Sequence, residues 1–265
     1  MIDILKAKKA FKEYISNYDI TEPRINIKVI HMYHVAENSR KIAESLGLSK
    51  EEQNLAELIG LLHDLGRFEQ VKWYHTFSDK NSIDHGQKSV EVLFADNWIQ
   101  KFVEESNHNA VIYKAINNHN KFEIEKGLSE YEVLHCKIVR DADNVDIYRA
   151  ALDENQRIED FGLIGCEDLS KEILSPEFFE DFKKEKLLLY SKAKTDMDIM
   201  VAIIAHIYAL NFKESLEIIK ENDYINRFIK RINCQDEYTR RKMEEIAVIA
   251  MNYIDKKIEG KNGNE

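Results

Sequence analysis

Histidines and acidic residues are the side chains here that can hold a divalent ion or move a proton near neutral pH, and several fall where helical spacing turns them inward. His34 lies seven residues after Ile27 and four after Ile30, His119 seven after Ile112 and four after Ala115, and Asp143 seven after Cys136 and four after Val139. All three therefore project from apolar faces. His63 follows Ile59 and Gly60 in an almost uninterrupted apolar run, so the doublet His63-Asp64 ends a helix buried on most sides. A buried imidazole or carboxylate without a partner costs several kcal/mol, on the order of the polar-transfer penalty, so these groups hydrogen-bond to one another or hold a cation. Any one of them is explained as a satisfied core histidine or a helix C-terminal pair; convergence from four or five helices favours the cation. Neutral imidazole with carboxylate oxygen suits manganese, iron, cobalt, nickel or zinc, whereas an all-oxygen set suits magnesium or calcium.

Helices must position these groups. With only 2 prolines and 9 glycines and aliphatic residues at helical spacing almost throughout, the 265-residue chain is expected to be all-α. An amphipathic segment from Ile2 to Tyr18 is followed by a helix from Ile25 to Leu46 that carries His31 and His34 and ends at Gly47. Ser49 and Glu52 form a capping box that opens the helix ending in His63-Asp64, which stops at Gly66. From Arg67 to Asp84 no period persists, which predicts a long loop or a broken helix of the kind that carries function. Helices are expected at His85–Ala95 and Asn109–His119, and from the cap pair Ser129 and Glu132 through Asp143 to Tyr148. Beyond Ala150, Pro176 marks a helix start, Thr195 with Asp198 another cap, and Lys242 to Ile254 a final helix, with GKNGNE fraying at the end.

The whole is expected to be one helical domain over 1–265, with a site-bearing core at about 25–150 and accessory helices at 1–18 and 151–260 packed on it. Three cysteines, Cys136, Cys166 and Cys234, are far apart and lack CxxC spacing, which fits neither a disulfide framework nor a zinc ribbon and points to the cytoplasm. No cleavage-site pattern follows the charged N-terminus and no apolar run spans a bilayer, so no membrane association is expected. A formal net charge of -10 argues against a broad hold on duplex nucleic acid. Nothing in the sequence speaks to oligomeric state.

The stretches HMYHVAENSRKIAESLG, LIGLLHDLGRFEQ, DHGQKSVEVL, INNHN and KIVRDADNVDIYRA together resemble the HD superfamily of metal-dependent phosphohydrolases, from about Ile25 to Ala150. HDLGR looks like that family's HDxG(K/R) form, and RDADNVD like its final acidic motif; order and spacing, not the dipeptide alone, make the match specific. The resemblance implies an HD-type helical bundle in which His34, His63, Asp64 and Asp143 hold a first divalent ion. Asp141 competes for the last position, but Asp143 precedes the hydrophobic-acidic continuation NVD and is preferred. His85 and His119 match positions that hold a second ion in two-metal members, with Asp64 bridging; otherwise they bind substrate phosphate. One or two ions of manganese, iron, cobalt, nickel, zinc or magnesium are implied, with metal-activated hydroxide attacking a small phosphorylated substrate, a nucleotide or related ester.

Arg67, one turn after His63, is placed to bind a phosphate oxygen or stabilise transition-state charge, or else is an ordinary helix-end arginine. His31 either supports the site or flanks the helix. His75 in the irregular stretch could touch substrate, while His108, His135 and His206 are assigned to structure, and Tyr33, Trp73 and Tyr74 to packing rather than base stacking. Two other functions share the scaffold: a di-iron oxygenase, and a signalling module that binds a nucleotide without turnover. No P-loop, dinucleotide fingerprint or nucleophile elbow offers different chemistry.

Overall fold

Asp3, whose side chain accepts from the Lys6 amide, caps α1 (Ile4–Ile15). Pro23 then opens α2 (Pro23–Ser45), where its fixed φ and missing N–H suit a first turn. The Ser49–Glu52 capping box starts α3 (Lys50–Leu62) with both reciprocal bonds present. These elements come from a computed structural model, which describes residues 2–153 and 168–260; among them every regular element is helical. Cys166 and the segment 261–265 of the expected frayed end lie outside the described residues. No helix among the described residues is long and apolar enough to cross a membrane.

The stretch after Gly66, expected to be a long loop or a broken helix, is α4 (Leu65–Tyr74) for most of its first half and a loop for the rest. Leu65, Phe68 and Val71 are buried at intervals of three and give that helix its inner face, while Trp73 and Tyr74 stand exposed at its end. His75, in the left-handed region at φ 52°, closes it, and the true loop runs from there to Asp84 with one 3-10 turn at Asp79–Asn81. Then come α5 (His85–Val90), prolonged by π-type turns through Ala95, α6 (Ile99–Phe102), α7 (Asn109–Asn118) and α8 (Glu130–Ala150).

The chain divides into two compact units, Met1–Asp146 and Ile147–Glu265. The second contains α9 (Pro176–Phe182), α10 (Asp196–Ile204), α11 (Lys213–Glu221), α12 (Tyr224–Ile232) and α13 (Glu237–Ile258). Its α10 is buried along its whole length behind the Thr195–Asp198 capping box, and Asp198 also accepts from the Ser175 amide and hydroxyl at 2.9 and 2.8 Å.

In the first unit the packing of α2 on α3 sets the geometry of everything after it. A Cβ at Gly60 would lie 2.6 Å from Ser39 Oγ, 2.8 Å from Val35 O and 2.9 Å from Ala36 Cα. The bare glycine therefore lets two backbones meet directly beneath the His63-Asp64 doublet. Gly60→Ala is expected to cost about 1–3 kcal/mol through overpacking and to lower the thermal unfolding midpoint; an unchanged midpoint would mean that α2 and α3 can separate freely.

Candidate metal centre

Six helices bring polar residues on them or at their ends to one place. Helix α2 supplies Lys28 and His31, the junction of α3 and α4 supplies His63 and Asp64, α5 begins with His85, His119 caps α7, and α8 contributes Asp143 and Asp146. The doublet sits at a break in the chain: His63 is the residue just after one helix and Asp64 the residue just before the next. His63 is wholly buried and Asp64 is 2 % exposed.

Each imidazole has its Nδ1 aimed at an acceptor. His31 Nδ1–H donates to Asp146 Oδ2 at 2.7 Å, His63 to Gly60 O at 2.8 Å, His85 to Asp79 Oδ2 at 2.6 Å and His119 to Ile116 O at 2.7 Å. Those acceptors fix the tautomer and turn four Nε2 atoms inward, the arrangement by which outer groups orient metal-binding histidines. Inside, Asp64 divides its two oxygens. Oδ2 faces His63 Nε2 at 3.6 Å and His31 Nε2 at 3.7 Å, while Oδ1 faces His85 and His119 Nε2 at 3.5 Å each. Asp143 Oδ1 lies 3.1 Å from His31 Nε2 and 3.7 Å from His63 Nε2.

The fit to a cation rests on atoms left without hydrogen bonds. His31 Nε2, His63 Nε2 and Asp64 Oδ1 are buried and make none, although the first is close to Asp143. His85 Nε2 and His119 Nε2 face each other at 3.0 Å while both Nδ1 atoms are committed to acceptors, so two lone pairs meet unless a proton or a metal ion joins them. Burial, helped by the Arg67 charge, lowers the His85 pKa to about 4 and so disfavours the proton. A divalent ion satisfies the same atoms. Ligand atoms within 4.8 Å of one another form three groups: His31, His63 and Asp64; His63, His119 and Asp143; and Asp64, His85 and His119.

The electrostatics keep this donor set unprotonated where a ligand needs it. Burial drops the His63 pKa to about 3 against the pull of Asp64 and Asp143. Burial would raise the Asp64 pKa, but the Lys28 ammonium and the neighbouring histidines and Arg67 hold it well below the usual range. Asp143 is held low by His31 in spite of burial. His31 is the exception: burial and Lys28 push its pKa down, but the carboxylates of Asp143 and Asp146 outweigh them and raise it.

Residues 29–148 match the family model of the HD domain, a little under half of the chain. The chain carries an HD domain. Its family binds divalent metals and consists mostly of metal-dependent hydrolases. No curated protein and no solved structure matches the chain.

Within the HD domain the structure brings together His63, Asp64, His85, His119 and Asp143 of the residues expected from sequence, and the histidine of α2 that stands with them is His31, not His34. Helix α2 has two apolar arcs. His34 belongs with Ile27 and Ile30 on the half-buried one, whereas His31 lies four residues before Val35, beside the fully buried stripe of Met32, Val35, Ser39 and Ile42. Asp141 is fully buried but stands outside the three groups. Arg67 does not present an open fork: its Nη1 donates to Gln70 Oε1, Phe77 O and Asp79 Oδ1, leaving Nε 3.6 Å from Asp64 Oδ1. His75 is exposed and Trp73 donates to Glu69, while Tyr33 packs edge-on against Phe11. His206 meets the Tyr190 hydroxyl, and His135 is buried.

Sequence reasoning passed over Lys28, Asp79 and Asp146; of these only Asp146 carried a signal, being three residues after Asp143 on the same helix. Gly66 has a local reason too. Its amide donates to Ser89 Oγ, which donates to His85 O, and a Cβ there would strike His85 O and lie 2.7 Å from Ser89 N. The glycine lets α5 seat His85 against Asp64.

Which of His31 and His34 holds an ion is directly measurable. His31→Ala is expected to weaken manganese binding by roughly 100-fold, at or beyond the upper end of losses seen on removing supporting groups, and His34→Ala to leave it unchanged. The reverse pattern by calorimetric titration would return His34 to the site.

Proposed function

We propose that this HD domain is a metal-dependent phosphohydrolase acting on a small phosphate ester, a nucleotide or a related mono- or diester, with two ions per chain. The observation that supports it best is the division of Asp64, whose oxygens address one histidine pair each. A carboxylate divided this way would suit a site for two ions, of the kind used in two-metal phosphoryl transfer.

A bound divalent ion supplies a water of lowered pKa and neutralises charge on the phosphoryl oxygens. The protein's own groups do the remainder. His31, His63 and Asp143 hold one side of the site, His85 and His119 the other, and the Nδ1 acceptors keep all four rings from turning. Asp79 ties His85 to the loop by accepting also from Arg67, Gln70 and Asn120, so the stretch from His75 to Asp84 is fixed to the site. Arg67 keeps positive charge at its edge, where phosphoryl charge builds up.

A panel of nucleotide mono-, di- and triesters and cyclic nucleotides, incubated with manganese-loaded protein and followed by mass, tests the reaction. Release of phosphate or a hydrolysed nucleotide is expected, falling at least about 100-fold in His63→Ala and Asp64→Ala. No product from any ester, with oxygen consumed by iron-loaded protein, would replace hydrolysis with oxygenase chemistry. The second ion has its own measurement: His85→Ala and His119→Ala should each leave about one ion per chain, and variants that keep both ions but lose turnover would assign the two histidines to phosphate alone.

A further inference from the structure

Two cations lie against the Asp64 carboxylate, and they are held in different ways. Arg67 is locked, with Nη1 shared among Gln70, Phe77 O and Asp79. Lys28 rests its ammonium on Asp64 Oδ2 at 2.7 Å and lies 5.3 Å from the centroid of the Phe77 ring, with 17 % of its side chain exposed. It stands one residue before the segment that matches the HD family and three before His31, one helical turn away.

Oδ2 is also the oxygen that faces His31 and His63. The ammonium therefore sits on the very atom that an ion between those histidines would take, and two cations on one carboxylate oxygen repel each other. Lysine is the one able to leave, since its charge is a point at the end of a four-carbon stem with three rotatable donors. Once an ion takes Asp64 Oδ2 the ammonium needs another acceptor, and an anion bound beside the ion would offer one close to the Phe77 ring.

Resting on the phosphohydrolase reading, we propose that Lys28 is a phosphate-binding residue that Asp64 holds in reserve until a divalent ion displaces it. Lys28 thus has two acceptors in succession, the carboxylate and then a phosphoryl oxygen, and its first contact competes with metal uptake.

The test is binding, not turnover. Manganese and then inorganic phosphate are titrated calorimetrically into wild-type protein, Lys28→Met and Lys28→Gln, the last keeping a donor for Asp64 so that folding is preserved. Both variants should bind manganese as tightly as wild type or more tightly, and bind phosphate roughly 10-fold or more weakly once loaded, the loss of a charge-assisted hydrogen bond. Lys28→Arg should recover part of the phosphate affinity. Variants that match wild type for phosphate overturn the proposal while leaving the function reading intact, and variants that lose manganese overturn it by making Lys28 a structural support of the site. Wild-type protein that takes manganese but no phosphate removes the phosphohydrolase reading and this proposal together.

Discussion

A carboxylate in the interior must be answered by positive charge, and Asp64 is the group around which this HD domain answers it. Taking a lone carboxylate out of water costs far more than one hydrogen bond returns, and the positive charge against the two oxygens of Asp64 comes from Lys28 and Arg67, with four imidazole nitrogens aimed at the same place. The helices follow from that need. His63 and Asp64 are the two residues between α3 and α4, where the chain breaks, and both side chains enter the site from that junction. The outer ring of acceptors, Asp146, Gly60 O, Asp79 and Ile116 O, serves the same end at one remove by fixing which nitrogen of each histidine looks inward.

The contributions to this arrangement come in two kinds, regular and irregular. Gly60 and Ile116 lie one turn before their histidines, so those distances follow from helical repeat: His63 and His119 each donate to the carbonyl three residues earlier. Asp79 lies in the stretch between α4 and α5 and has no such rule. It is held by donors from Arg67, Gln70 and Asn120, so the position of His85 depends on a network rather than on a helix. Networks of this sort are strong when complete and fail together, because loss of one member leaves the others with unmet polar atoms.

That contrast explains which parts could be read from residues alone. The all-helical architecture and the caps at Ser49 and Thr195 were legible, since a capping box is a local pattern and acts within three residues. The doublet was legible because an apolar run leads straight into it. His31 was obscured by α2, whose Ile27 and Ile30 make a second apolar arc that drew attention to His34. Helix α4 was hidden by Glu69, Lys72 and the exposed rings of Trp73 and Tyr74, which break an apolar pattern carried only by Leu65, Phe68 and Val71. Asp79 and Lys28 could not be found by spacing at all; each acquires its role through residues brought near by tertiary packing.

The contact between His31 and Asp146 joins residues 115 positions apart. A chain closing a loop of that length gives up conformational entropy that a local pair does not, so the contact depends on the helices packed between its ends. The pocket of inward-facing nitrogens is a property of the folded domain, assembled from residues far apart in sequence. An ion that binds it recognises the finished HD domain and draws the equilibrium toward it by mass action, so that metal supply and the abundance of folded protein become linked quantities.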